Sequence, residues 1–332
     1  MGCGGGSSHH YVYTVGKAAQ GIFGFQETSS GVTAVNSSPF GTGGQPVCIA
    51  ITPSKTFGYL VSAGGSAVTG YSFDDKNGGL ALTNGAVNTG TNPVSIAIDP
   101  SSSHLYVLAQ GSSNVSAFSI DSFTGVLKAL SGSPFATISN PVSMAMSSDG
   151  KTLFIASATV GVTSMPINSD GTLGAAAAPL PAGTSPSFVT VAPGNQLVFV
   201  ADSTGNAVLA FGVSGSTLTA ASSPTAVGTA PSSLAVDPGG KLLFVANSGS
   251  NNVSVFSIGS GGALSQVQGS PFTTGTAPSF VITDHSGDHL FVADKGSGDI
   301  AEFTIGDGGS LSAVSGSPFT VQTSPVWIAV TD

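Results

Sequence analysis

Residues 231–277 read PSSLAVDPGGKLLFVANSGSNNVSVFSIGSGGALSQVQGSPFTTGTA. Short apolar clusters alternate here with turn chemistry. Ser233–Asp237 is a short apolar strand. Asp237-Pro238-Gly239-Gly240 is a turn, because proline presets φ and glycine tolerates φ > 0. Leu242–Ala246 is a near-continuous apolar run, the pattern of a strand covered on both faces. Asn247–Asn251 is a polar loop, and Val253–Ile258 alternates between two faces. Gly259–Gly262 is a hairpin turn. Leu264 begins a weaker strand that ends at Gly269-Ser270-Pro271-Phe272. The stretch therefore encodes four strands, lettered A to D in chain order.

The same pattern recurs along the whole chain. Prolines open its copies at Pro46, Pro93, Pro141, Pro186, Pro231, Pro278 and Pro325, 45 to 48 residues apart. A strand-rich period of roughly 40–50 residues predicts a β-propeller, in which each unit buries its faces only against its neighbours. Six full copies span 46–92, 93–140, 141–185, 186–230, 231–277 and 278–324. Residues 11–45 supply strands B, C and D without an A strand, and residues 325–332 supply an A strand with nothing after it. The expectation is an all-β, seven-bladed propeller of four-stranded antiparallel blades. The C-terminal strand 325–330 closes the ring by completing the N-terminal blade. The copy at 141–185 is the most degenerate, with Gly174-Ala175-Ala176-Ala177-Ala178 in its outer half. Gly-Ser-Pro-Phe endings at 132–135, 269–272 and 316–319 place proline in the outermost strand. There its missing N–H blunts an edge.

Composition narrows the function classes. Charged residues are 7% of the chain, against a usual ~25%. There are seven lysines, no arginine and two glutamates, and the net charge is −9. Phosphate backbones need clustered Lys or Arg, so a nucleic-acid partner is excluded. No apolar run approaches the ~20 residues of a membrane span. Met1-Gly2-Cys3-Gly4-Gly5-Gly6-Ser7-Ser8 resembles the end of a bacterial lipoprotein signal followed by a Gly/Ser tether. Residues 1–10 are thus expected to be a tether with Cys3 lipidated, on an outer-membrane or surface lipoprotein. Cys48 is expected to be a buried small hydrophobe.

Leu243-Phe244-Val245-Ala246-Asn247, Asn252-Val253-Ser254-Val255-Phe256 and Gly269-Ser270-Pro271-Phe272 resemble the YVTN-type repeats of bacterial surface proteins. They also resemble the seven-bladed lactonase family, which includes 6-phosphogluconolactonases and muconate-lactonizing enzymes. The resemblance covers residues 11–332 and rests on packing residues. It implies a pocket at one mouth of the central channel, with His and Glu moving protons and Arg holding a carboxylate or phosphate. The chain departs from that pattern. It has no Arg, its glutamates Glu27 and Glu302 fall on C strands away from the axis, and His104, His285 and His289 fall in A–B turns.

In a propeller the D–A and B–C loops share one mouth. The ring preceding the opening prolines includes Gln45, Asn92 and Asn140. The B–C loops add Asp202, Asn206, Asn247, Asn251, Asp294, Lys295 and Asp299, and Lys17 in the first blade. Asp202, Asp294, Asp299 and Lys295 are candidates for an acidic arc binding a cation or polyol, although tight turns alone call for such residues. Asp284–His289 holds a His/Asp cluster on the opposite face, without metal-ligand spacing, and no metal or cofactor is expected. These readings together predict a non-enzymatic, lipid-anchored module, monomeric or weakly self-associating, that binds protein or polysaccharide at the cell surface. A lactone hydrolase with a diverged active site is the alternative, and a structural coat or filament subunit a third reading.

Overall fold

The structure, a computed structural model, describes residues 10–16, 21–28, 31–42, 44–83, 85–321 and 323–331. Within them, seven antiparallel sheets follow one another as the blades of a ring. The A strands are Pro46–Ile51, Pro93–Ile98, Pro141–Met146, Pro186–Val191, Pro231–Val236, Pro278–Thr283 and Trp327–Thr331. Trp327–Thr331 pairs antiparallel with Tyr11–Val15, so the two chain ends share one blade, as the sequence predicts.

The B strands are the most buried elements because they are covered by blades on both sides. Leu242–Asn247 exposes part of its first residue only. Phe244, Ala246, Val253 and Val255 of one blade pack with Val281, Leu290, Val292, Ala301 and Phe303 of the next. Truncating Phe244 to Ala should cost about 3–5 kcal/mol, since a close-packed seam cannot collapse around the void. The position of Phe244 is held by Tyr13, Tyr59 and Tyr106 in the first three blades. Their hydroxyls donate to the carbonyls of Gly78, Gly125 and Gly171 in the following blade, at 2.6, 2.9 and 2.8 Å. A buried phenol needs such a partner, whereas the Phe of the later blades does not.

The outer strand differs from its prediction. It breaks into two pieces, such as Leu264–Gln266 and Phe272–Thr273, which pair with opposite ends of Asn252–Ile258. Proline supplies no donor between them, and the chain turns. The serine before it takes over: Ser270 Oγ accepts the Val255 N–H at 2.8 Å, and Ser38, Ser133 and Ser317 do the same for Gly24, Ala117 and Glu302. In the 141–185 blade the outer strand shrinks to two isolated bridges, Val162↔Leu180 and Ile167↔Leu173. Its alanines offer little to pack on a pleated surface.

Candidate functional site

Two residues after each repeat-opening proline stands a side chain on the inner strand, at the register of Cys48, Ser95, Ser143, Phe188, Ser233, Phe280 and Trp327. Four are small. The other three meet across the channel. Phe280 stacks on Trp327 with ring centres 4.2 Å apart, and Phe188 lies 5.9 Å from Phe280 and 6.5 Å from Trp327. Phe280 and Trp327 line cavities on both sides and so partition the axis, with Phe188 beside them on the vestibule side. The signal was present in the aligned repeats: Phe280 and Trp327 stand on successive inner strands, and the curvature of the ring brings Phe188, from beyond the blade at 231–277, to both.

On the D–A and B–C side lies a vestibule of about 230 Å³, walled by Val47, Val94, Val142 and Val326, with Ser95, Ser143, Ser279 and Lys295. On the other side a more apolar cavity of about 470 Å³ runs along Ile49, Ile51, Ile282 and Val330, with Asp284 and His285 at its edge. The Asp284 carboxylate is taken up by the Ser286 hydroxyl and the Gly287 and His289 N–H groups.

Of the residues singled out in the sequence, Lys295 lines the vestibule. Lys17 and Cys3 lie outside the described residues. Gln45, Asn92 and Asn140 turn the chain into strand A at φ of 57°, 51° and 48°. Asn92 Nδ2 donates to Gln110 Oε1 at 2.9 Å, and Gln110 Nε2 to Asn140 Oδ1 at 3.0 Å. Gln110, missed in the sequence, links the two. Asn206 Oδ1 accepts the Ala230 N–H and Asn251 Oδ1 the Ala277 N–H, both at 2.8 Å, so these amides tie B–C loops to D–A loops.

The candidate acidic arc does not form, in keeping with the alternative that tight turns call for these residues. Asp202 and Asp294 belong to blades separated by the one at 231–277, and both carboxylates are buried beneath D–A loops. Asp202 accepts the Thr184 and Ser185 N–H groups, each at 2.8 Å. Burial pushes its carboxyl up, but these and the Gly205 and Thr204 N–H groups hold it below the usual range. Asn247 donates to Asn252 Oδ1 and Ser254 Oγ, both at 2.9 Å. Asp294 Oδ2 receives the Thr274 hydroxyl at 2.7 Å and the Gly275 N–H at 2.9 Å, while Oδ1 has no partner. Burial, with the charge of Asp299, lifts its carboxyl to about 7. Burial also raises Asp299, which accepts from Ser297 at 3.1 Å.

One group of side chains was read as dispersed and is not. His104 and His289 open B strands rather than lying in the preceding turns. His289 Nδ1 sits 2.8 Å from Glu302 Oε1, and Glu27, from the first blade, completes a group whose ligand atoms lie within 4.8 Å of one another. The Glu302 hydrogen bond and the charges of Glu302, Glu27 and Asp284 raise the imidazole above its ordinary value against the opposing effect of burial. No sequence spacing signals this meeting across the closed ring.

The family model of the seven-bladed β-propeller lactonases matches residues 28–137, 129–226 and 153–325. The chain belongs to that family. No curated protein matches it. A protein assigned as a 6-phosphogluconolactonase from Bacteroides fragilis shares the fold at 19% identity and a TM-score of 0.85, covering 100% of both chains. One so assigned from Bacteroides uniformis is 18% identical at a TM-score of 0.85, covering 98% of this chain and 100% of that one. The periplasmic gluconolactonase of Pseudomonas aeruginosa is 17% identical at 0.81, covering 98% and 99%. At these identities the likeness concerns the fold. Membership in the lactonase family overturns the expectation of a non-enzymatic surface module and favours its alternative, a lactone hydrolase. That expectation weighed the missing Arg too heavily. A clamp for an anionic substituent is separable from the chemistry of opening a lactone ring.

Proposed function

We propose that the protein hydrolyses an uncharged sugar lactone bound in the axial vestibule on the D–A and B–C side. Family membership carries this reading. The vestibule supports it, because about 230 Å³ suits a single-ring ligand rather than a drug-sized one. Water attacks the lactone carbonyl, the acyl C–O bond breaks, and the ring oxygen takes a proton to give the hydroxy acid. Negative charge builds on the carbonyl oxygen in between. The ammonium of Lys295, at the vestibule wall, stabilises that charge. The Phe188, Phe280 and Trp327 floor offers rings on which the ligand rests and closes the channel below it. A lactone is already an activated ester, so charge stabilisation alone yields useful acceleration. The described lining includes no carboxylate or imidazole, and no general base is assigned.

An uncharged substrate is preferred over a phosphorylated one. One lysine does not reproduce a bidentate phosphate clamp, the chain has no arginine, and its net charge of −9 repels anions. The test is turnover of gluconolactone and of 6-phosphogluconolactone by wild type, Lys295→Ala and His285→Ala. Wild type should open gluconolactone faster than its phosphorylated form. Lys295→Ala should lose about 10- to 100-fold, and His285→Ala, at the opposite mouth, should match wild type. No turnover by wild type, or full activity in Lys295→Ala, would overturn the reading.

A further inference from the structure

The geometry points to a divalent transition-metal site formed by Glu27, His289 and Glu302, which would clip the last full blade to the first at the seam where the ring closes. Glu302 stands opposite Phe291 in the strand register. The equivalent positions in the other blades are Gly24, Gly70, Ala117, Ser164, Ala210 and Val255, all small or uncharged. A carboxylate replaces them once, and it is 3% exposed. Burying such a group is costly unless something of opposite charge meets it. The chain contains two glutamates, at 27 and 302, and the fold brings both to the same imidazole. In a sequence so poor in charge, that convergence from opposite ends marks a built site.

The blade at 93–140 provides the contrast. His104 opens its B strand as His289 does, yet its Nδ1 pairs with the turn carboxylate Asp99 at 3.1 Å. In the last full blade the turn carboxylate Asp284 likewise accepts the backbone N–H of the strand-opening histidine, but the imidazole Nδ1 turns to Glu302 at 2.8 Å instead. The ring lies alongside Phe291, with centres 6.4 Å apart and planes 24° apart, which restricts its orientation. One imidazole nitrogen and two carboxylates are a mixed set suited to Zn²⁺ and its first-row neighbours; all-oxygen sites suit Ca²⁺ or Mg²⁺. Bond lengths of about 2.0–2.2 Å place the ligand atoms of a tetrahedral ion slightly over 3 Å apart. The ligand atoms already lie within 4.8 Å of one another, so a small adjustment separates the group from that spacing.

This site is independent of the lactonase reading, and its test does not use turnover. The full chain, freed of metal, is titrated with Zn²⁺ alone by calorimetry and thermal melting, beside Glu27→Gln and Glu302→Gln. One Zn²⁺ per chain should bind and raise Tm by several degrees. Glu27→Gln, at the half-buried end of the group, should keep the metal-free melting temperature and lose at least ~10-fold in Zn²⁺ affinity. If Glu302→Gln does not fold, Glu27→Gln still decides. Anomalous scattering at the zinc edge should place the ion between residues 289 and 302. No binding, binding that survives Glu27→Gln, as chelation by His9 and His10 would, or Ca²⁺ stabilising as well as Zn²⁺ would each overturn the proposal.

Discussion

Asp202 and Asp294 occupy the same place in two blades, as the last residue of strand B, paired with the proline that opens strand A. Their carboxyls are nevertheless displaced in opposite directions. At Asp202 the loops fold four backbone N–H groups around the charge. At Asp294 the loop supplies one hydroxyl and one N–H, leaves Oδ1 bare, and places Asp299 nearby. Sequence position sets where a carboxylate sits, and the number of donors aimed at it sets its ionisation. The blade at 186–230 uses its aspartate for architecture. The blade at 278–324 carries an under-donated carboxyl, the vestibule lysine, and His289 and Glu302, which meet Glu27 of the first blade.

The largest expected effect comes from deleting residues 325–332. The strand Tyr11–Val15 loses its partner, and Phe280 loses Trp327. A loss of about 5 kcal/mol or more is expected, with amide exchange rising first at residues 11–15, then at 290–294 in the blade packed against them, and last at 198–202. Equal exchange in the latter two stretches would break the distinction between these blades.

Asp202→Ala should cost about 4 kcal/mol, because several buried N–H groups lose a charged acceptor together. The measurement is chemical denaturation at neutral pH. An effect below about 1 kcal/mol would mean that water replaces the carboxylate.

Asp294→Asn should act in the opposite sense and mimic Asn247 of the preceding blade. The carboxyl titrates near 4 when unfolded and near 7 in the fold. Stability from the neutral form is therefore full below pH about 4 and is lost as pH rises through about 7. Removing the charge should leave stability at pH 4 nearly unchanged and add up to about 4 kcal/mol at pH 8. Thr274 and Gly275 donate to this group, and Asp299 opposes its ionisation. A variant with the wild-type pH profile would show that Asp294 ionises freely.

The smallest effect sharpens the same contrast. Thr274→Val removes the hydroxyl donor from Asp294 and should cost about 1 kcal/mol at pH 8, and less at pH 5, where the carboxyl is neutral. Equal losses at both pH values would assign the threonine to packing alone.

Much of the architecture was legible because it is periodic. Seven prolines in register, the Leu-Phe-Val-Ala runs and the split blade at the termini reflect local rules repeated until they cannot be misread. The serine preceding each edge proline was not legible, since its bond to the C strand depends on how the chain turns in space. Among the site candidates, Lys295 reached the channel, while Asp202, Asn247 and Asp294 proved to brace loops. Composition favours the same residues for turns and for binding, so sequence could not separate the two.

What the sequence determined by itself was the repeat, the blade count and the closing strand, because alternation, turn residues and period act within one copy or between neighbours. What only the tertiary structure decided was which distant side chains meet. Phe188 reaches Phe280 and Trp327 because the inner strands converge on one axis, and Glu27 reaches His289 and Glu302 because a closed ring puts the ends of the chain side by side. Ionisation belongs to the same category, since it depends on burial and on the direction of nearby donors, which no spacing along the chain encodes.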